Sequence, residues 1–213
     1  MRILFKVLKI FVVILLLTVV SFSIFAPQYW RTGFSADEMK GFAEIVKGSK
    51  DLSHNFYPVY DRLYPNQRKV YLGNSFFRSV MALFQDKSIY ELYDCPCGDV
   101  YPILVQDKKV LPQKHADWKA EYKAFWFGFG LQKYVSSEKC FDFVYGHSKD
   151  FRSKDLWDLT VQHFGKNLED LSKKEVVELI LLVQSPILYN KKRNPAVFNR
   201  KFEEVWKMVE DEL

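Results

Sequence analysis

Residues 10–30 carry no charged side chain, and they follow directly on Arg2, Lys6 and Lys9. A helix needs ~20 apolar residues to cross a bilayer, so the pattern predicts a cytoplasmic stub and transmembrane anchor over residues 1–30. Tyr29 and Trp30 close the run, where amphipathic rings favour the headgroup zone, and the basic flank orients the N-terminus inside. A cleaved signal peptide is the rival, but Ala-x-Ala is absent and Pro27 follows Ala26.

Beyond the anchor the spacing turns helical. Residues 36–46 predict a short amphipathic helix with Ser35 as N-cap. Residues 48–66 lack a clear period and predict a loop. Residues 75–85 place Phe76, Val80, Leu83 and Phe84 near one helix face. Residues 86–112 are turn-rich around Asp94-Cys95-Pro96-Cys97-Gly98-Asp99, with a short strand predicted over 100–105. Residues 116–134 predict a helix heavy in aromatics (Trp118, Tyr122, Phe125, Trp126, Phe127, Phe129), weakened by Gly128 and Gly130. Those aromatics suit either a core or a lipid-facing surface.

Two further helices are predicted over 136–145 and 155–164. Ser172 and Glu175 then form a capping box, and residues 176–183 are apolar on nearly all faces until Pro186 stops the helix. The last helix begins at Pro195 behind an Asn194 cap, with Phe198, Phe202, Val205 and Met208 as its apolar face. There is no repeat, low-complexity linker or second domain, so residues 31–213 read as one mainly α domain.

Composition adds little to this picture. The 213 residues are 48% hydrophobic and 17% aromatic, with a net charge of +5. A mild basic excess suits an anionic partner such as phosphate head groups, though much basic surface is only solvated lysine. No nucleic-acid motif, zinc spacing or Gly-rich phosphate loop is present. Cys95 and Cys97 are too close for metal-finger spacing. In an oxidising compartment one of them is free to pair with Cys140 and leave an odd thiol, or all three remain thiols.

The ordered string His163–Tyr189, HFGKNLEDLSKKEVVELILLVQSPILY, resembles the C-terminal half of the peptidoglycan glycosyltransferase (transglycosylase) domain. That family reads roughly Tyr-Phe-Gly-Lys, Leu-Thr/Ser, Glu-Ala in an apolar helix, Gln-Ser-Pro, then Tyr-Asn-Pro. The similarity extends back through Gly130–Glu138 and forward through Asn190, Asn194-Pro195 and Arg200, covering residues 119–208 well. Residues 64–119 follow with few identities. The resemblance implies a lysozyme-like, mainly α domain behind a single membrane anchor in the cytoplasmic membrane, with its C-terminal domain outside or periplasmic. It implies a lipid-linked glycan or peptidoglycan strand as ligand, and a cell-wall synthesis protein as a possible partner.

The family's chemistry uses two glutamates, one in an EDxxFxxH motif as general base and one in an RKxxE-type helix near the leaving diphosphate. Aligned on the resemblance, these positions carry Tyr64 and Ala124. The family's polar Gly-Gly-Ser-Thr-Ile-Thr-Gln-Gln loop falls on Gly98–Val105, where only the first glycine survives. Alanine cannot take a proton, and tyrosine, with an ordinary pKa of ~10, is a poor base. Asp61 and Glu121 each lie three residues before the vacated positions and are the substitute carboxylates. A shift of about one helical turn, ~5 Å, is large for positioned chemistry. Lys119, Lys123 and Arg200 are the candidate phosphate contacts, and a divalent metal is implied only for an active enzyme. Three functions therefore stand: a degenerate, membrane-anchored glycan-binding relative, an active glycosyltransferase with relocated carboxylates, and a helical interaction protein outside the family.

Overall fold

A computed structural model describes residues 2–25, 33–65, 67–69, 95–106, 120–148 and 154–210. Within the helices, the side chains at 2–8, 19, 22–25, 120–123 and 125 lie outside that description. Among the described residues the chain is helical, with no strand. The helices are α1 (Arg2–Phe25), α2 (Ala36–Lys47), α3 (Phe56–Leu63), α4 (Pro96–Gln106), α5 (Ala120–Leu131), α6 (Ser137–Gly146), α7 (Leu156–Phe164), α8 (Lys173–Gln184) and α9 (Pro195–Glu210). Short 3-10 turns occupy Gln67–Lys69 and Leu168–Asp170.

The 24 residues of α1 form one continuous helix, with Ile10, Phe11, Leu16 and Leu17 exposed. The longest unbroken run with described side chains is residues 9–18. Among the described residues, no helix is long and apolar enough to cross a membrane.

Caps set the boundaries of the domain's helices. Ser35 accepts from the Glu38 amide while Glu38 bonds the Ser35 amide, opening α2 with a complete capping box. Ser172 and Glu175 do the same for α8. Such a box satisfies two of the amides that a helix start leaves without partners. Gly165 ends α7 at φ 67°, in the left-handed region that a side chain disfavours. Pro195 opens α9 in the first turn, where its missing N–H costs nothing.

Two predicted segments fold differently. Residues 48–66 hold α3, whose apolar residues recur at Phe56, Val59, Tyr60 and Leu63, a helical spacing. Pro58 interrupts that pattern to the eye, but it stands in the first turn, where amides have no intrahelical partner anyway. The strand predicted over 100–105 is instead part of α4. Cys97, Val100, Tyr101 and Leu104 are all buried and lie at i, i+3, i+4 and i+7. A smaller correction concerns α9. Met208 is exposed, and Val209 closes the buried stripe with Phe198 and Val205, four residues on from Val205. The predicted helix over 75–85 lies outside the described residues.

Two hydrophobic clusters form the interior. The first gathers α2, α4 and α5, with Phe34, Phe42, Tyr101 and Phe127 in mutual edge or tilted ring contacts. Phe127 and Phe129 of the aromatic run are thus core residues. The second gathers α3, α7, α8 and α9 around the fully buried Val176, Val177, Leu179 and Ile180. Helix α6 belongs to both. Cys140 and Phe143 face the first cluster, while Phe141 and Tyr145 face the second. Gly146 ends α6 against α7, where an added Cβ would stand 2.7 Å from the Trp157 ring.

Cys97 on α4 and Cys140 on α6 form a disulfide, with their Cα atoms 5.0 Å apart. Cys95 remains a buried free thiol. Burial pushes that thiol up to about 11, and Gln132 Nε2 donates to its sulfur at 3.2 Å. A thiol so protonated is a weak nucleophile.

Candidate functional site

Polar side chains converge where α3, α6 and the 67–69 turn meet. Asp142 sits on α6 between Phe141 and Phe143 and is 6% exposed. The phenol of Tyr57, on α3, donates to Asp142 Oδ1 at 2.9 Å. The Arg68 guanidinium covers the Tyr57 ring at 4.4 Å and binds Asp61 with two donors, its Nε reaching Oδ1 at 2.6 Å. Beside them Lys139 Nζ donates to the Ser49 carbonyl at 2.6 Å and to the Asp51 carboxylate. Three acidic and two basic side chains thus flank one phenol.

Burial is the main influence on the acid at the centre. It pushes the Asp142 carboxyl up from 3.8 to about 6; Asp51 adds to the rise, while the bond from Tyr57 and the charges of Lys139 and Arg68 oppose it. The Tyr57 phenol is raised too, first by burial and then by Asp142. Arg68 is held charged chiefly by its bond to Asp61. The chemistry available is proton exchange at a shielded carboxyl. One of its oxygens is occupied by Tyr57, which leaves little room for a bulky reactant.

Asp142 gives a pH prediction. Between about pH 4 and 6 the folded state keeps a proton that the unfolded chain has released, so this residue weakens the fold as pH rises through that window. Asp142→Asn keeps an oxygen acceptor for Tyr57 and removes the charge. The variant should be more stable than the parent at pH 7, by of the order of 1–3 kcal/mol, and nearly equal to it at pH 4. Thermal melts of the full chain in detergent at the two pH values measure the difference; an equal gap at both contradicts the assignment.

The positions singled out by the resemblance pack against the two apolar clusters, with Lys201 and Tyr189 near the Tyr64 phenol. Tyr64 caps the end of α3, half-buried, with its ring 4.9 Å from that of Tyr60, and burial raises its phenol. Ala124 is packed against the first core cluster, and its carbonyl lies 3.7 Å from where a Cβ on Gly98 would stand. Residues 98–105, which the resemblance sets against a polar loop, are part of a helix with Val100, Tyr101 and Leu104 buried.

Among the predicted site residues, Asp61 joins the polar junction, and its carboxylate is engaged by Arg68. Glu121 and Lys123 lie on α5, with side chains outside the described residues, and Lys119 lies outside them altogether. Arg200 is exposed on α9. The junction's centre, Tyr57, Arg68 and Asp142, was not among the predicted residues. One signal was available: an aspartate flanked by Phe141 and Phe143 on a helix is a polar residue in an apolar setting, and such groups require partners. Among the described residues, no group of three or more His, Cys, Asp or Glu side chains is arranged to hold a metal ion.

No family model, curated protein or solved structure matches the chain.

Proposed function

We propose that the chain is a membrane-anchored relative of the peptidoglycan glycosyltransferases that has lost glycan polymerisation and retains binding of a lipid-linked glycan or glycan strand, alone or with a cell-wall synthesis partner. One observation carries the loss of catalysis. Of the three places where the resemblance requires polar chemistry, Tyr64 and Ala124 are partly buried against apolar core, and residues 98–105 turn Val100, Tyr101 and Leu104 into it. The substitute Asp61 already has both carboxylate oxygens engaged by Arg68.

The family side of the proposal rests on the ordered string 163–189 and on element boundaries that fit it. The turn is at Gly165, the cap at Ser172, the helix end at Gln184 and the restart at Pro195. A lysozyme-like arrangement of these helices is part of the same proposal. The anchor rests on the uncharged run 10–30 behind three basic residues, and on a 24-residue helix of roughly 36 Å. It would hold the protein in the cytoplasmic membrane with the domain outside, where a disulfide such as Cys97–Cys140 persists.

The test is a paired assay of the detergent-solubilised full chain with lipid-linked disaccharide precursor and a divalent metal. Binding without polymerisation is expected. Polymerisation overturns the proposal and makes Asp61→Asn and Glu121→Gln the next variants. Absence of both activities eliminates precursor binding and leaves a protein partner, sought by crosslinking in the membrane.

A further inference from the structure

The segment between α8 and α9, residues 185–194, is a loop that displays both apolar and basic side chains. Several hydrogen bonds within it order its backbone. The Ser185 carbonyl accepts from the Tyr189 amide at 2.9 Å, and the Asn190 side chain accepts from the amides of Lys192 and Arg193 at 3.1 Å each. Asn194 Nδ2 donates to the Ile187 carbonyl at 2.8 Å, drawing the two ends of the loop together.

On this frame Ile187 and Leu188 stand 49% and 45% exposed. Soluble surfaces carry isolated exposed apolar residues commonly; here two large ones are adjacent, and three cations follow within five residues. Lys191 is committed to Glu178 at 3.2 Å and lies 5.5 Å from the Phe198 ring. Lys192 and Arg193 are exposed and have no ion pair among the described residues.

We propose that the 185–194 loop is a lipid-contact element that seats Ile187 and Leu188 in the headgroup–acyl boundary of an anionic bilayer, with Lys192 and Arg193 on its phosphates. Charge complementarity favours this occupant over an apolar protein groove. Two cations with no ion pair among the described residues, beside two exposed apolar residues, match a surface that is negative outside and apolar a few ångströms deeper. The bonds at Ser185, Asn190 and Asn194 already order part of the loop, which lowers the conformational cost of binding. The inference adds a second membrane contact to the proposed anchor and does not depend on which glycan is bound.

The experiment uses the full chain reconstituted with vesicles, carrying Leu188→Cys labelled with a polarity-sensitive fluorophore. Cys95 is buried and Cys97 and Cys140 are paired, so the new thiol is the reactive one among the described residues. With vesicles containing a third phosphatidylglycerol, brominated lipid should quench the probe. Quenching should fall at least about threefold in pure phosphatidylcholine, and by a similar factor in Lys192→Glu/Arg193→Glu with anionic vesicles. Equal quenching in both lipids, or none in either, overturns the proposal. Alkaline carbonate extraction of the same samples tests the anchor separately. Chain released by carbonate sinks the anchor, while the probe signal before extraction still decides the loop.

Discussion

Phe56→Ala should lower the unfolding free energy by about 3–5 kcal/mol, the range for removing a large aromatic from a close-packed core. Phe56 is fully buried at the first position of α3. Its ring stacks 5.9 Å from Tyr60 and meets Tyr145 edge-on at 5.6 Å, with Phe141 at 6.4 Å. No one of these contacts is large, but truncation removes all of them and leaves a void that the disulfide-tied α6 cannot easily close. For a domain of this size the loss amounts to a melting temperature lower by roughly 10 °C. Val161→Ala, on the exposed face of α7, is the control and should move the melt little. A Phe56→Ala effect under about 1 kcal/mol would show that α3 does not pack as described.

Removing the cross-link should have an effect of similar size. The bond between Cys97 and Cys140 closes a loop with a sequence separation of 43. Loop-closure entropy of the unfolded chain assigns such a bond about 4 kcal/mol. The Cys97→Ala/Cys140→Ala variant should therefore unfold at markedly lower denaturant, and reductant should not change its midpoint further. The parent, unfolded in reductant, should approach the variant. If the variant and the parent unfold together under oxidising conditions, the native pairing is wrong and Cys95 has to be considered as a partner.

These two effects sit at places of very different legibility. The N-caps at Ser35 and Ser172 and the proline start at Pro195 were readable because each is settled within a few residues by the supply of hydrogen-bond donors. Helices α3 and α4 were missed, although both carry apolar residues at i, i+3, i+4 and i+7. Residues 48–66 were read as lacking a period and residues 86–112 as turn-rich, whereas Pro58 is harmless in an opening turn and Pro102 is carried by burial of the residues around it. The choice between Cys95 and Cys97 was open because it depends on which sulfur the α4–α6 packing turns toward Cys140. The polar junction was less legible still. Tyr57, Asp61 and Arg68 lie far from Asp142 in the chain, and only packing across α3 and α6 brings a phenol to that carboxyl. The positions that the resemblance aligns with catalytic glutamates were the reverse case, since Tyr64 and Ala124 are read directly from the sequence.

Helix α6 lends Cys140 and Phe143 to one cluster and Phe141 and Tyr145 to the other. Neither half of the domain can then be trimmed away on its own, since either deletion strips one side of the same ten-residue helix. A change that unseats α6 therefore loosens both clusters at once.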